Sequence, residues 1–303
     1  MKLKGYQIAG VLGALASLFL IVFFTRINAT LLGMVSEHFS SDQAVSQGGA
    51  GIIQSYFMFA IFVLLAGSVA LIFKLPNYIL QIFDLSGART FFTSDTICKK
   101  NSINLKFLWI SIAWALLMHL YRLTVGEPGM EGIVEQLCNV MFGITIVIFL
   151  GAIFQVKKNQ HTLGTRRFII TLLSFLAFAV FVILGEEISW GQRIFEWEAT
   201  GVFETYNHQQ ETNFHNFLNP MFRFIYPMVG LSAFVFLFMY WFFPKNNTYL
   251  LKLFFPHQSM AFIIFTMACA SYTGHSETYE ALFTLFLMLY SMRVFNCLKN
   301  KSE

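Results

Sequence analysis

Two polar stretches interrupt a chain that is otherwise mostly apolar. The first runs from Gly185 to Arg193 and continues in the polar residues from Asn207 to Asn216, and the second runs from Gly274 to Glu280. These stretches contain the carboxylates, imidazoles and amides that proteins use to move protons and to hold metal ions. The residue types therefore direct the search for function to these two places.

Glu186 and Glu187 are adjacent carboxylates that follow a long apolar run. A carboxylate at the edge of a membrane is costly unless it is paired, metal-bound or protonated, and neighbouring carboxylates raise each other's pKa. We therefore predict that Glu186 and Glu187 are catalytic acids or bases, and that Arg193 neutralises an oxyanion or a phosphate. The alternative is a pair that marks a helix end, with one carboxylate in water and the other paired to Arg193.

A second group of side chains is typical of metal ligands. Glu211 and His215 are four residues apart, so on a helix they would share one face. With His275 and Glu277 they form the predicted ligand set for a divalent metal, of which zinc is the expected ion. The alternatives are a hydrogen-bonding role for each histidine and a favourable interaction of Glu277 with a helix dipole.

Three further residues are predicted to bind substrate: Gln192, Asn213 and Glu280. Amides and carboxylates at the mouth of a site can donate and accept hydrogen bonds to a polar group. The alternative for Asn213 is an ordinary turn, in which asparagine is common. Trp190 and Trp197 are typical of the aromatic belt at a membrane interface.

The composition decides which elements must position these residues. The chain has 303 residues, of which 56% are hydrophobic, 17% aromatic and only 12% charged, against roughly 25% charged in ordinary soluble domains. The mean hydropathy is +0.62. These values exclude a soluble enzyme, a disordered chain and a nucleic-acid binder. They predict an all-α polytopic bundle, because helices satisfy their own backbone hydrogen bonds in lipid.

Eight apolar stretches are long enough to be considered as transmembrane helices. Together they form a single integral membrane domain over residues 1–303. The predicted spans are 5–25, 52–73, 105–121, 137–156, 168–184, 224–243, 258–273 and 281–298.

The distribution of charge predicts the orientation. With both termini in the cytoplasm, 16 of the 20 Lys and Arg residues lie on the inner side, as the positive-inside rule requires. Thirteen of the 16 acidic residues lie outside, either as a solvated surface or as a cation site. We expect a multi-pass protein of the bacterial inner membrane. Both polar stretches then emerge on the outer side at similar depth, where they can face one pocket.

The four cysteines give no sign of a disulfide framework. Cys98 and Cys297 fall near the predicted cytoplasmic side, Cys269 within a span and Cys138 near the outer boundary. Because no two of them form an obvious pair on the outer side, we expect no disulfide.

The run from Glu186 to Arg193, followed by Asn213-Phe214-His215-Asn216, resembles a motif pair of uncharacterised bacterial multi-pass membrane proteins. The sequence is also loosely similar to the CAAX-protease and bacteriocin-processing intramembrane metalloproteases, which have about eight helices, a Glu-Glu pair followed by Arg, and later histidines. His215 and His275 correspond to those histidines. The gap from Glu187 to Arg193 is longer than in that family, and Tyr279 stands where Asn or Asp is usual. The resemblance implies metal-dependent chemistry in the membrane.

Two classes of function remain open at this point, with a third less favoured. The first is a membrane-embedded, metal-dependent hydrolase or transferase that acts at the outer face on a lipid, a lipid-linked molecule or a membrane peptide. The second is a non-catalytic assembly or sensor subunit. A transporter is less favoured, because the spans carry few ionisable groups near the midplane. Membrane lipids are the expected partners and nucleic acid is not; the oligomeric state is left open.

Overall fold

The described part of the chain is helical throughout. It is 88% helix and contains no strand, which confirms the all-α prediction. The computed structural model describes residues 5–24, 26–27, 29–30, 57–58, 60–69, 71–72, 89–90, 92–95, 97–98, 101–124, 132–158, 162–207, 210–242, 249–272 and 276–299.

Eight apolar helices are named here in chain order. They are α1 (Gly5–Val22), α2 (Ala60–Val69), α3 (Asn101–Thr124), α4 (Ile133–Lys158), α5 (Leu163–Glu187), α6 (Asn219–Phe242), α7 (Ala261–Ala270) and α8 (Ser276–Lys299). Short helices also occur in the connections, at Gln192–Phe195, Val202–Tyr206 and Tyr249–Phe254.

Five helical segments of the described residues are long and apolar enough to cross a membrane, so the chain is a multi-pass membrane protein. The five segments are Ile103–Tyr121, Ile133–Lys158, Leu163–Glu187, Tyr249–Ala270 and Glu277–Lys299. Three shorter apolar helices are Gln7–Val22, Ala60–Val69 and Phe224–Leu237. Each of the eight predicted stretches overlaps one of these helices.

The chain divides into two compact units, and α1 and α2 belong to the first. Within it, the Nε2 of Gln7 donates a hydrogen bond to the carbonyl oxygen of Ile72 at 3.1 Å. A side chain at Gly10 would collide with the backbone of Ser68. The small residue therefore permits a close approach of the two helices, as is common between helices in membranes.

The second unit contains α3 to α8. Helix α8 is its most enclosed candidate span, with 67% of its apolar window buried, against 28% for α5. Helix α4 packs against both α5 and α8. The indole nitrogen of Trp114 on α3 donates to the carbonyl of Ala281 on α8 at 3.0 Å. Helix α8 is therefore a central element of this unit, with α3, α4 and α7 packed against it.

A buried ion pair ties the C-terminal half of α8 to the segment before α3. The Nε of Arg293 donates to Oδ2 of Asp95 at 3.0 Å, and both side chains are fully buried. Arg293 also donates to the carbonyls of Lys252 and Leu253. Burial alone would raise the pKa of Asp95. The charges of Arg293 and His257 and two backbone N–H groups outweigh burial and lower the pKa from 3.8 to about 2.

The expectation of no disulfide is wrong, because Cys98 and Cys297 are bonded. The two residues are 199 positions apart, and their Cα atoms lie 4.7 Å from each other. Asp95 accepts the N–H of Cys98 and binds Arg293, one turn before Cys297 on α8. Sequence spacing could not show that this ion pair brings the cysteines together. Cys138 and Cys269 are free and buried.

Candidate functional site

Residues from both polar stretches line one cavity in the second unit. The cavity has a volume of about 550 Å³, and we call it the acidic cavity. Its polar lining comprises Glu135, Glu186, Glu187, Glu211, His215, Asn216, Tyr226, Glu277, Tyr279 and Glu280, and its apolar lining comprises Phe142, Val182, Ile183, Phe222, Ile225, Val229 and Phe283. No Lys or Arg occurs among these described lining residues. The arrangement suits an amphiphile or a cation.

A small void lies beside the acidic cavity, where four carboxylates from three helices converge. It has a volume of about 10 Å³, which is near the space that one water molecule needs. Glu135 comes from α4, Glu187 from α5, and Glu277 and Glu280 from α8. Like charges at such proximity repel, and a shared proton or a cation relieves the repulsion. The void is therefore a candidate place for a shared proton or a bound cation.

Glu186 holds the end of α5 to the second half of the first stretch. Its Oε2 accepts the backbone N–H groups of Phe214 at 2.6 Å and His215 at 2.9 Å. Its Oε1 accepts the indole N–H of Trp190 at 2.7 Å. A Cβ at Gly185 would lie 2.8 Å from the Trp190 ring, so glycine is needed for the indole to fold back on the helix. The structure thus gives Glu186 a positioning role.

Glu211 is fixed by a buried network of amides and a hydroxyl. Its Oε2 accepts hydrogen bonds from Ser189 at 3.1 Å, Asn213 at 2.7 Å and Asn216 at 3.3 Å. The side chain of Asn207 donates to the carbonyl of Glu211 and accepts from Asn216. All four partners are buried. Such bonds orient a carboxylate in the way that outer-shell partners orient metal ligands.

Gln192 joins the two halves of the first stretch. Its Oε1 accepts hydrogen bonds from the backbone N–H and the hydroxyl of Thr212, and its Nε2 donates to the carbonyl of Gln210. Ser189, Trp190 and Gly191 have positive φ values of 48°, 55° and 93°. These left-handed residues reverse the chain directly after α5, so that Gln192 can reach Thr212.

The second stretch contributes through the first turn of α8. Glu277 and Glu280 both line the acidic cavity. The hydroxyl of Tyr226 on α6 donates a short hydrogen bond to Oε1 of Glu280. The ring of Tyr226 stacks on Tyr279, with 4.4 Å between the centroids. Helices α6 and α8 are thereby joined at the wall of the cavity.

The predicted site residues divide into three groups. Glu186, Glu187, Glu211, His215, Glu277 and Glu280 line the acidic cavity. Gln192 and Asn213 belong to the hydrogen-bond network that supports it. His275 and the side chain of Arg193 lie outside the described residues, and their roles stay predictions.

Among the described residues, the predicted ligands Glu211, His215 and Glu277 do not form a group of three with ligand atoms close together, and the fourth, His275, lies outside the described residues. The group that does have ligand atoms close together is Asp95, Cys98 and Cys297, within 4.8 Å of one another. Its two sulfur atoms are already joined in the disulfide, and Asp95 is bound to Arg293. A metal held by Glu211, His215 and Glu277 would therefore require these side chains to move closer together.

Sequence reasoning missed several residues of the site. Glu135 was one acidic residue among many on the predicted outer side, although it stands only two residues before the span predicted at 137–156. Tyr226 and Tyr279 carried no signal, since aromatic residues are frequent throughout the chain. Ser189 could have been noticed only as part of the polar run after Glu187.

Comparison with known proteins gave no family: no family model, no curated protein and no solved structure matches the chain.

Proposed function

We propose that the protein is a membrane-embedded hydrolase or transferase that acts on an amphiphilic substrate: a lipid, a lipid-linked molecule or a membrane peptide. The observation that carries this proposal is the acidic cavity, in which apolar side chains such as Phe142 and Phe283 lie beside six carboxylates and His215. An acyl or prenyl chain fits the apolar wall, and a reacting polar group fits the carboxylate side.

Glu187 is the residue to which we assign acid–base chemistry. It lines both the acidic cavity and the small void, whereas Glu186 lines the acidic cavity and holds the backbone of Phe214 and His215. A carboxylate among other carboxylates can hold a proton and release it to a bound substrate or water. Glu186 and the network around Glu211 would position the segment that carries His215 beside Glu187.

A divalent metal is the cofactor that we propose for this chemistry. Glu211, His215 and Glu277, with the predicted ligand His275, are the residues that would hold it, and their carboxylate and imidazole groups suit zinc or manganese. A bound metal would supply a water molecule with a lowered pKa. The chain's own residues would supply the orientation of that water and the apolar surface for the substrate.

The membrane arrangement that supports this function has eight spans and both termini in the cytoplasm of a bacterial inner membrane. The excess of Lys and Arg on the predicted inner side supports it, and the acidic cavity then opens at the outer face. Reporter fusions after residues 158 and 207 test the arrangement: the first is expected in the cytoplasm and the second outside. Both reporters on one side would refute it.

Turnover by the purified protein tests the proposed function. The wild type, Glu187→Gln and the control Glu198→Gln, which removes an exposed carboxylate outside the cavity, are placed in lipid nanodiscs with Zn²⁺ or Mn²⁺. Fluorescent phospholipids, lipid diphosphates and prenylated peptides are added, and products are measured by mass spectrometry. We expect turnover by the wild type and the control, and a loss of about 10²–10⁴-fold in Glu187→Gln. Equal turnover by all three would refute the role of Glu187.

A non-catalytic cation-binding subunit is the second candidate, and the small void with four carboxylates favours it. Such a protein would bind a divalent ion through Glu187 and Glu277 without turnover of any substrate class. Metal analysis of the same three proteins, combined with the turnover assay, separates the candidates. Ion binding that depends on Glu187, with no product from any substrate, would favour the subunit over the enzyme.

A further inference from the structure

The connection between α5 and α6 exposes an unusual amount of apolar surface. We call residues 188–218 the link. It lies outside the candidate spans, yet five of its large side chains are each at least 61% exposed: Ile194, Phe195, Val202, Tyr206 and Phe214. Single exposed apolar residues are ordinary, but a group of this size on one short connection marks an interaction surface.

The exposed side chains are attached to a well-defined frame. Trp197 donates from its indole nitrogen to the hydroxyl of Thr212 at 3.2 Å, and Phe195 stacks on Trp197 with 5.8 Å between the centroids. Phe203 packs edge-on against Phe214 at 5.2 Å. These contacts and the Asn207 network hold the link in a conformation in which these apolar side chains are exposed.

The lipid-facing surface of α5 continues directly into the link. Phe175, Phe178 and Phe181 on this candidate span are at least half exposed. The ring of Phe181 meets Trp190 of the link edge-on, at 6.1 Å between centroids. An apolar aromatic strip therefore leads from the membrane-spanning part of α5 onto the link without interruption.

The charges of the link place it at a boundary instead of in the hydrocarbon core. Glu196, Glu198 and Glu204 are exposed on the same short segments as the apolar group. Carboxylates require water or polar lipid headgroups, whereas the phenyl and aliphatic side chains require acyl chains. Tryptophan and tyrosine, which combine an apolar ring with a polar group, are enriched at that level of a bilayer.

We propose that the link is a membrane-interface segment that inserts its exposed apolar side chains into the headgroup and acyl boundary of the leaflet beside the acidic cavity. The partner that fits this surface is the lipid bilayer itself. The link also carries Glu211 and His215, so its insertion places the cavity mouth level with the lipid headgroups. The proposal does not depend on catalysis, since a non-catalytic subunit could insert the link equally well.

Spin labels on single cysteines test the proposal in the full-length protein. Cysteine is introduced by Ile194→Cys or Val202→Cys, and by the control substitutions Glu198→Cys and Glu204→Cys in the same segments. The native cysteines do not interfere, because Cys138 and Cys269 are buried and the other two are bonded. Each labelled protein is placed in phosphatidylcholine vesicles, and its collisions with oxygen and with a water-soluble nickel chelate are measured by electron paramagnetic resonance.

Oxygen concentrates in acyl chains and the nickel chelate in water. We expect the ratio of oxygen to nickel accessibility to be several-fold higher at positions 194 and 202 than at positions 198 and 204. Equal, water-like ratios at all four positions would overturn the proposal. So would low accessibility to both reagents at 194 and 202 with spin–spin broadening that disappears on dilution with unlabelled protein, because a second copy of the chain would then cover the surface.

Discussion

Removal of the Glu186 carboxylate should release the segment that carries His215. In Glu186→Ala the backbone N–H groups of Phe214 and His215 lose their acceptor, at 2.6 and 2.9 Å, and so does the indole of Trp190. A hydrogen bond to a charged group contributes about 1.5–3 kcal/mol. The Glu186 side chain is only 14% exposed. While the segment stays folded, water can therefore replace few of the hydrogen bonds that the carboxylate made.

The loss of a single such bond gives a conservative magnitude. About 2 kcal/mol less stability of the closed segment corresponds to a roughly 30-fold larger open population, and hence roughly 30-fold faster exchange, at 1.4 kcal/mol for each factor of ten. Hydrogen exchange of the peptide over residues 210–218, measured by mass spectrometry in nanodiscs, is the assay. Glu204→Ala, which removes an exposed carboxylate from the same link, is the control. Unchanged exchange in Glu186→Ala would refute the positioning role of Glu186.

Three further predictions concern the rest of the second unit. Asp95→Asn leaves the buried Arg293 without its counter-charge and should destabilise the protein by about 3–5 kcal/mol, seen as a lower unfolding temperature in detergent; an unchanged temperature would contradict it. Because the folded pKa of Asp95 is lowered from 3.8 to about 2, the stability gap between wild type and Asp95→Asn should stay constant at neutral and mildly acidic pH and narrow as pH falls from 3.8 towards 2; a gap that closes near pH 6 would point to another group. Denatured without reductant, the protein should react with maleimide-polyethylene glycol at two cysteines, and at four after reduction; four reactive thiols at the outset would exclude the Cys98–Cys297 bond.

Hydropathy located the helices well but not their ends. The span predicted at 137–156 belongs to α4, which runs from Ile133 to Lys158, because polar residues at both ends continue the helix beyond the apolar window. The span predicted at 258–273 overlaps a segment that begins earlier and ends at Ala270, Tyr249–Ala270, in which Pro256 follows the short helix Tyr249–Phe254. An apolar window reports burial in lipid and carries no information on where backbone hydrogen bonds stop.

The sequence predicted the types of the site residues and the side of the membrane on which they lie. It did not predict which face of each helix they occupy. The Lys and Arg distribution, together with the alternation of the predicted spans, predicted that Glu187 and Glu277 lie at one membrane face. Which side of a helix faces its neighbours depends on packing, and so Glu135 and Tyr226 were not found. The separate roles of Glu186 and Glu187 depend on the left-handed turn at Ser189 and Trp190, which residue types alone do not reveal.

The central claim is that the two polar stretches meet around one cavity, and cross-linking tests it most directly. In a Cys138→Ala background, which removes the native thiol beside the small void, Glu187→Cys and Glu277→Cys are combined and treated with a short bifunctional thiol reagent. Glu198→Cys with Glu277→Cys is the control. The account predicts rapid cross-linking of positions 187 and 277 and little in the control, detected as linked peptides by mass spectrometry. Cross-linking of 187 to 277 no faster than in the control would contradict it.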